Sequence, residues 1–213
     1  MGKRAEDRES DRISCLYEIT SAIHGTFDLR NALYQVLDLL AHHLGMTRGS
    51  ITLLNPDTRE IHIEVAHGIS PAAKTKGRYK LGEGITGRVI ETGEPIAVPD
   101  IDKEPLFLSR TGTRKRPGKS KISFLCVPVK EGRRVIGALG VDRIFEGATR
   151  LEDDLRFLTI INSLIAQKVA LLEKINRERD QLNQENIRLR RELGKKYSFA
   201  NIIGNSRKMQ EVF

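Results

Sequence analysis

The chain has no tryptophan, only two cysteines, and no uninterrupted apolar run of the ~18 residues that a membrane span requires. Its charged start, MGKRAEDRESDR, lacks the apolar stretch of a secretory signal, so neither export nor membrane insertion is expected and the cytoplasm is the expected location. Cys15 and Cys126 stand far apart, with no second thiol or histidine at ligand spacing beside either. They read as buried structural thiols rather than as a redox pair. The histidines at 24, 42, 43, 62 and 67 are scattered, and neighbours such as His42 and His43 point in different directions on a helix, so no metal site is expected. No G-x-S-x-G nucleophile turn and no G-x-x-x-x-G-K-[ST] phosphate loop occurs, which argues against hydrolase chemistry and ATP hydrolysis by this chain.

What is present is a core of ordinary size. The 213 residues are 39% hydrophobic, enough for one domain with extensions. The net charge of +8 is concentrated in the segment RTGTRKRPGKSK and in the tail after residue 173, and no recognition helix accompanies it. Direct nucleic-acid contact by this chain is therefore not expected.

Apolar spacing predicts a helix over residues 11–24, with Ile13, Leu16, Tyr17, Ile19 and Ile23 on one broad side. A second helix follows Asp28, a good N-cap, carries Leu29, Leu33, Val36, Leu37, Leu40 and Leu44, and stops at Gly45. GSITLL and EIHIEVAHG form a hairpin pattern around NPDT, with Ile61, Ile63 and Val65 alternating against His62 and Glu64. Residues 101–121 read as irregular and basic. ISFLCVPV and RVIGALGVDRI are continuous apolar runs joined at KEGR, the pattern of central strands buried on both faces. The order predicts an α+β domain, an antiparallel sheet flanked by helices with a pocket between sheet and loop.

The segment GEGITGRVIETGEPIAVPD raises the question of a site. Ile85, Val89 and Ile90 share one helical face, so the glycines bracket a two-turn helix from Gly84 to just before Gly93. Gly84, Ile85 and Thr86 can offer N–H and hydroxyl groups at its start. Arg110 and Arg114 on the basic loop suit a carboxylate or phosphate. Phe107, Phe124 and Cys126 form the expected apolar wall, and Asp142 and Arg143 stand at the exit of the last strand. Each has a plainer reading: Phe124 and Cys126 as core, Asp142 and Arg143 as a mutual pair, the loop as a solvated surface.

The last helix, from about Leu151 to Leu193, overruns a single domain. Read in sevens, it carries Leu158, Ile165, Leu172, Arg179, Asn186 and Leu193, with Ile161, Lys168, Ile175, Leu182 and Leu189 three residues on. This predicts a coiled-coil seam and a marginal homodimer, weakened by Arg179 and Lys168 and fixed in register and two-stranded state by Asn186. A long solvated helix is the alternative.

Taken together, GRYKLGEGITGRVIETGEPIAVPDIDKEPLF, SRTGTRKR and SFLCVPVKEGRRVIGALGVDRIF resemble the GAF domain of NifA-type activators of nitrogen-fixation genes. FANIIGNSRKMQEVF resembles the opening of the AAA+ ATPase domain in sigma-54-dependent activators, with Ile202, Ile203 and Gly204 matching the stretch that lies against the nucleotide base. The resemblance implies a flexible start over residues 1–11, a GAF sensory domain over 12–172, a coiled-coil linker over 173–197 and a truncated AAA+ start over 198–213. It also implies a regulatory role, with a metabolite such as 2-oxoglutarate or a nitrogen-status protein as the signal. Sigma-54 RNA polymerase and promoter DNA would be partners of the full-length parent. A ligand-free dimerisation scaffold is the competing expectation from the same fold.

Overall fold

The computed structural model describes residues 2–55, 58–108 and 121–196. The chain divides into two units between Leu172 and Glu173. In the first, helices α1 (Gly2–His24) and α2 (Leu29–Leu44) precede strands β1 (Arg48–Leu54) and β2 (Ile61–His67). A short helix α3 (Pro71–Lys76) and a two-residue strand β3 (Arg78–Tyr79) lead to α4 (Gly84–Thr92) and β4 (Ile96–Val98). The long strands β5 (Ile122–Glu131) and β6 (Arg134–Ile144) follow, then α5 (Ala148–Lys196).

The six strands form one antiparallel sheet in the order β3-β2-β1-β6-β5-β4. Strands β5 and β6 occupy central places, and each carries a run of eight buried residues. Such runs need cover on both faces. One face is covered by α1, α2 and the first half of α5, whose Ile19, Leu33, Leu40, Leu158 and Ile161 meet Val127, Leu139 and Val141. The other is covered by α4, whose Ile85, Val89 and Ile90 meet Phe124, Cys126 and Ala138. Each fully buried aliphatic side chain contributes about 1.5–3 kcal/mol through removal from water.

Local signals behave as the chemistry requires. Asp28 caps α2 by accepting a hydrogen bond from the Asn31 N–H at 3.2 Å, and Gly45 ends it in the left-handed conformation. The apolar side of α1 is narrower than its spacing suggested: Cys15, Ile19 and Ile23 are buried, whereas Ile13 and Tyr17 are 64% and 73% exposed. The helix also begins at Gly2 rather than near residue 11, continued by a run of Arg and Glu with good helix propensity. Helix α3 and strand β3 are additional elements; Ser70 caps α3 by accepting from the Ala73 N–H, and Pro71 opens it.

Helix α5 corrects the heptad reading within the first unit. Leu158, Ile161 and Ile165 have no exposed surface, because they pack on the sheet of their own chain and cannot meet a second one. Lys168 is also turned inward, donating to the Thr26 carbonyl and lying 5.6 Å from the Phe27 ring centroid. Asn162 donates to the Val127 carbonyl at 2.8 Å. Part of α5 is apolar enough by length and composition to cross a membrane. Leu151, Phe157, Leu158 and Val169 account for that composition as core residues of the domain. In the second unit, every side chain from Glu173 to Leu193 is exposed. The segment resembling an AAA+ start, with Ile202, Ile203 and Gly204, lies outside the described residues.

Candidate functional site

Between α4 and the β1–β6–β5 part of the sheet lies a small pocket. Gly84, Ile85 and Thr86 supply one wall, Phe107 and Leu108 a second, and Phe124 with Asp142 the floor. Six of the residues expected from sequence are thus brought together. Arg110 and Arg114 lie outside the described residues.

Cys126 sits behind the wall rather than in it. It is fully buried in the α4-side core, and its thiol meets the Thr86 hydroxyl; burial pushes its pKa from 9.0 up to about 12, against the opposing effect of that hydrogen bond. The protonated thiol is a structural group. Cys15 is likewise pushed up to about 12, first by burial and then by Glu18.

Arg143 does not belong to the pocket. Successive strand residues point to opposite faces, so Asp142 faces the pocket and Arg143 faces the α1–α5 side. There its Nε lies 2.6 Å from Asp154 Oδ2, and its Nη1 donates to the Leu44 carbonyl. Burial lowers the Arg143 pKa from its ordinary value, and Asp154 opposes that shift. Arg12 completes the cluster with Nη2 at 2.7 Å from the other Asp154 oxygen. Nor do Asp142 and Arg143 pair with each other, the plainer reading from sequence; Asp142 Oδ2 lies 3.6 Å from Arg48 Nε.

Sequence reasoning missed Arg48, Ser50, Tyr79 and Leu108 as lining residues. Arg48 could have been found from its position: it opens β1, and β1 pairs with β6 so that Arg48 stands opposite Asp142. Tyr79 lies in β3, an element too short to show a period.

The helix start is shaped for close approach. Gly84 has φ +62°, and a Cβ there would stand 2.8 Å from Leu108 Cδ1. Glu83 precedes it without capping the helix, its carboxylate instead accepting from the Lys80 N–H at 2.9 Å. Gly93 closes the helix at φ +72°, a conformation glycine adopts without steric cost. Phe107 packs edge-on to Phe124, with ring centroids 5.2 Å apart. Phe107 and Leu108 thus crowd the pocket, which has a volume of about 40 Å³. That is room for about three waters. A ligand of metabolite size needs Leu108 and Phe107 to move. Among the described residues, no group of three or more His, Cys, Asp or Glu side chains is placed to hold a metal ion.

Comparison with known proteins agrees with this architecture. Residues 28–169 match the GAF domain family. The nitrogen fixation protein VnfA of Azotobacter vinelandii is 41% identical over 205 residues, covering 96% of this chain and 39% of that protein. The Nif-specific regulatory protein of Herbaspirillum seropedicae is 40% identical over 199 residues, covering 93% and 36%. The chain thus spans well under half the length of these curated relatives. Among solved structures, the A. aeolicus nlh2 GAF domain in an inactive state superposes with a TM-score of 0.67 at 24% identity, covering 77% of this chain and 98% of that one. Free methionine-R-sulfoxide reductase from Neisseria meningitidis shares the fold, with a TM-score of 0.63 at 20% identity and coverage of 77% and 91%. On the match over most of its folded region, the chain belongs to the GAF domain family.

Proposed function

We propose that this chain is the sensory region of a cytoplasmic, sigma-54-dependent activator of nitrogen-fixation genes, and that it controls an adjacent AAA+ ATPase through a paired linker helix. The observation that carries the reading is the reach of the similarity: 96% of the chain aligns with VnfA, so the match continues past the GAF region along α5. The chain itself is a regulator rather than a catalyst, and ATP hydrolysis belongs to the rest of the parent. Sigma-54 RNA polymerase and promoter DNA are partners of that parent.

Binding at the α4 pocket would shift the helix start and segment 106–108, and β6 connects that pocket to the Asp154 cluster on α5. The signal is a small anion such as 2-oxoglutarate or a nitrogen-status protein, and it acts only if the two states of the domain bind it with different affinity. Two GAF domains joined through their α5 helices would present two ATPase domains in one geometry or another.

The small pocket favours a second reading, a ligand-free dimerisation scaffold, because the chain's own Leu108 and Phe107 leave only about 40 Å³ of space in it. Calorimetry separates the two. Titration with 2-oxoglutarate, nucleotides and cyclic nucleotides, with and without a nitrogen-status partner protein, gives binding heat in at least one arm for a sensor. Silence in every arm contradicts the sensory reading.

A further inference from the structure

Helix α1 changes character at Cys15. From there on, Cys15, Ile19 and Ile23 are buried in one cluster with Leu33, Leu37 and Leu40 of α2, and the Cys15 thiol donates to the Leu39 carbonyl at 3.8 Å. Ahead of Cys15, every side chain from Arg8 to Ser14 is exposed except that of Arg12. These turns stand off the domain. A cleft of about 850 Å³ separates them from the first turns of α5, with Arg8, Arg12 and Ile13 on one side and Arg150, Asp153 and Phe157 on the other. Arg12 reaches across it: its Nη2 lies 2.7 Å from Asp154 Oδ1, and its guanidinium carbon stands 6.0 Å from the centroid of the Phe157 ring.

We propose that α1 ahead of Cys15 is a releasable strap, with Arg12 on Asp154 as its catch and Cys15 as the point from which it opens. The device does not depend on a ligand in the α4 pocket.

The two ends of the catch are unequal. The Asp154 side chain is 2% exposed and that of Arg12 is 29% exposed, so water reaches the guanidinium while the carboxylate stays in the core. Breaking a buried ion pair is costly when it strands a charge, and here it strands none, because Asp154 Oδ2 keeps Arg143 Nε at 2.6 Å. Once loose, the strap has little to hold it helical. It runs from Gly2 to Ser14, and an isolated helix shorter than ~12–15 residues is marginal in water. Unwinding therefore proceeds to Cys15, where packing on α2 resumes, and such a local opening costs less than unfolding the domain. It bares the face of Phe157 that Arg12 covers, at the start of the helix that continues into the second unit.

Native-state hydrogen exchange on the whole chain, resolved along α1 and repeated at low urea concentrations, tests the strap. A local opening exposes little surface, so exchange at residues 8–14 should be about a hundredfold or more faster than at residues 19–23 and nearly independent of urea, whereas residues 19–23 should respond steeply. Arg12→Gln keeps the helix propensity and removes the charge; it should speed exchange at residues 8–14 about fivefold, and Arg12→Glu by more than about tenfold. At about 1 M salt the native chain should approach the rates of Arg12→Gln, and that variant should barely respond. The same steep urea dependence at residues 8–14 as at 19–23 would overturn the strap, because α1 would then open only with the domain. Unchanged exchange at residues 8–14 in both variants, or an equal salt response in the native chain and Arg12→Gln, would overturn Arg12 as its catch.

Discussion

Asp142 and Arg143 are consecutive in β6 and serve opposite faces of the sheet: Asp142 lines the pocket beside Arg48, and Arg143 meets Asp154 of α5 at 2.6 Å. The strand thereby joins the candidate site to the helix that leaves the domain. Arg12 on α1 shares the same Asp154 carboxylate, so a single buried anion ties α1, β6 and α5 together.

Asp154→Ala should be among the most damaging single substitutions. Asp154 and Arg143 are 1% and 5% exposed, so the change leaves a guanidinium buried without its counter-ion. Breaking such a pair costs about 3–5 kcal/mol. Urea unfolding of the variant checks this. The double variant Asp154→Leu with Arg143→Met should lose less than Asp154→Ala alone, because no buried charge is stranded.

Leu158→Ala and Leu182→Ala separate the core part of α5 from its exposed part. Leu158 has no exposed surface, and its truncation should lower domain stability by about 2–5 kcal/mol. Leu182 is 67% exposed, and its truncation should leave domain unfolding within about 0.5 kcal/mol while weakening self-association. Denaturant curves monitored within residues 12–172, with light scattering alongside, resolve the two effects.

The difference between these leucines shows what was legible in the sequence. Alternation at Ile61, Ile63 and Val65, the Asp28 and Gly45 caps of α2, and the continuous apolar runs of β5 and β6 are local signals, and the fold follows them. The heptad was legible as apolar content but not as a face, because only packing against the sheet decides which side of α5 is already taken. Arg143 was assigned to the pocket by its neighbour Asp142, although strand alternation sends adjacent side chains apart. Arg48 was hidden because its role depends on the β1–β6 register, a long-range fact.

Gly84→Ala probes the crowded pocket wall. The added Cβ meets Leu108 at 2.8 Å and sits on a backbone with φ +62°, so a loss of about 1–3 kcal/mol is expected. Gly140→Ala drives a methyl group to 2.7 Å from the Phe124 ring and should cost about 1–3 kcal/mol through overpacking. Thermal unfolding measures both. Adding Leu108→Ala should recover part of the Gly84→Ala loss and none of the Gly140→Ala loss.

Stability should fall in alkali through the two thiols. Their folded pKa values are raised to about 12 against 9.0 for a free thiol, so the protonated forms favour the folded state. That contribution is complete below pH 9.0 and is lost as pH rises toward about 12, because the unfolded chain releases its protons first. Unfolding curves of the native chain and of a Cys15→Ala, Cys126→Ala variant should differ in slope only above that lower limit.

ATP hydrolysis by the full-length parent, compared with the same protein lacking residues 1–172, tests the account most directly. A sensory domain coupled to its motor predicts a changed rate on deletion, and the loss of any response to the signal that the intact protein shows. An unchanged rate together with an unchanged response would contradict it.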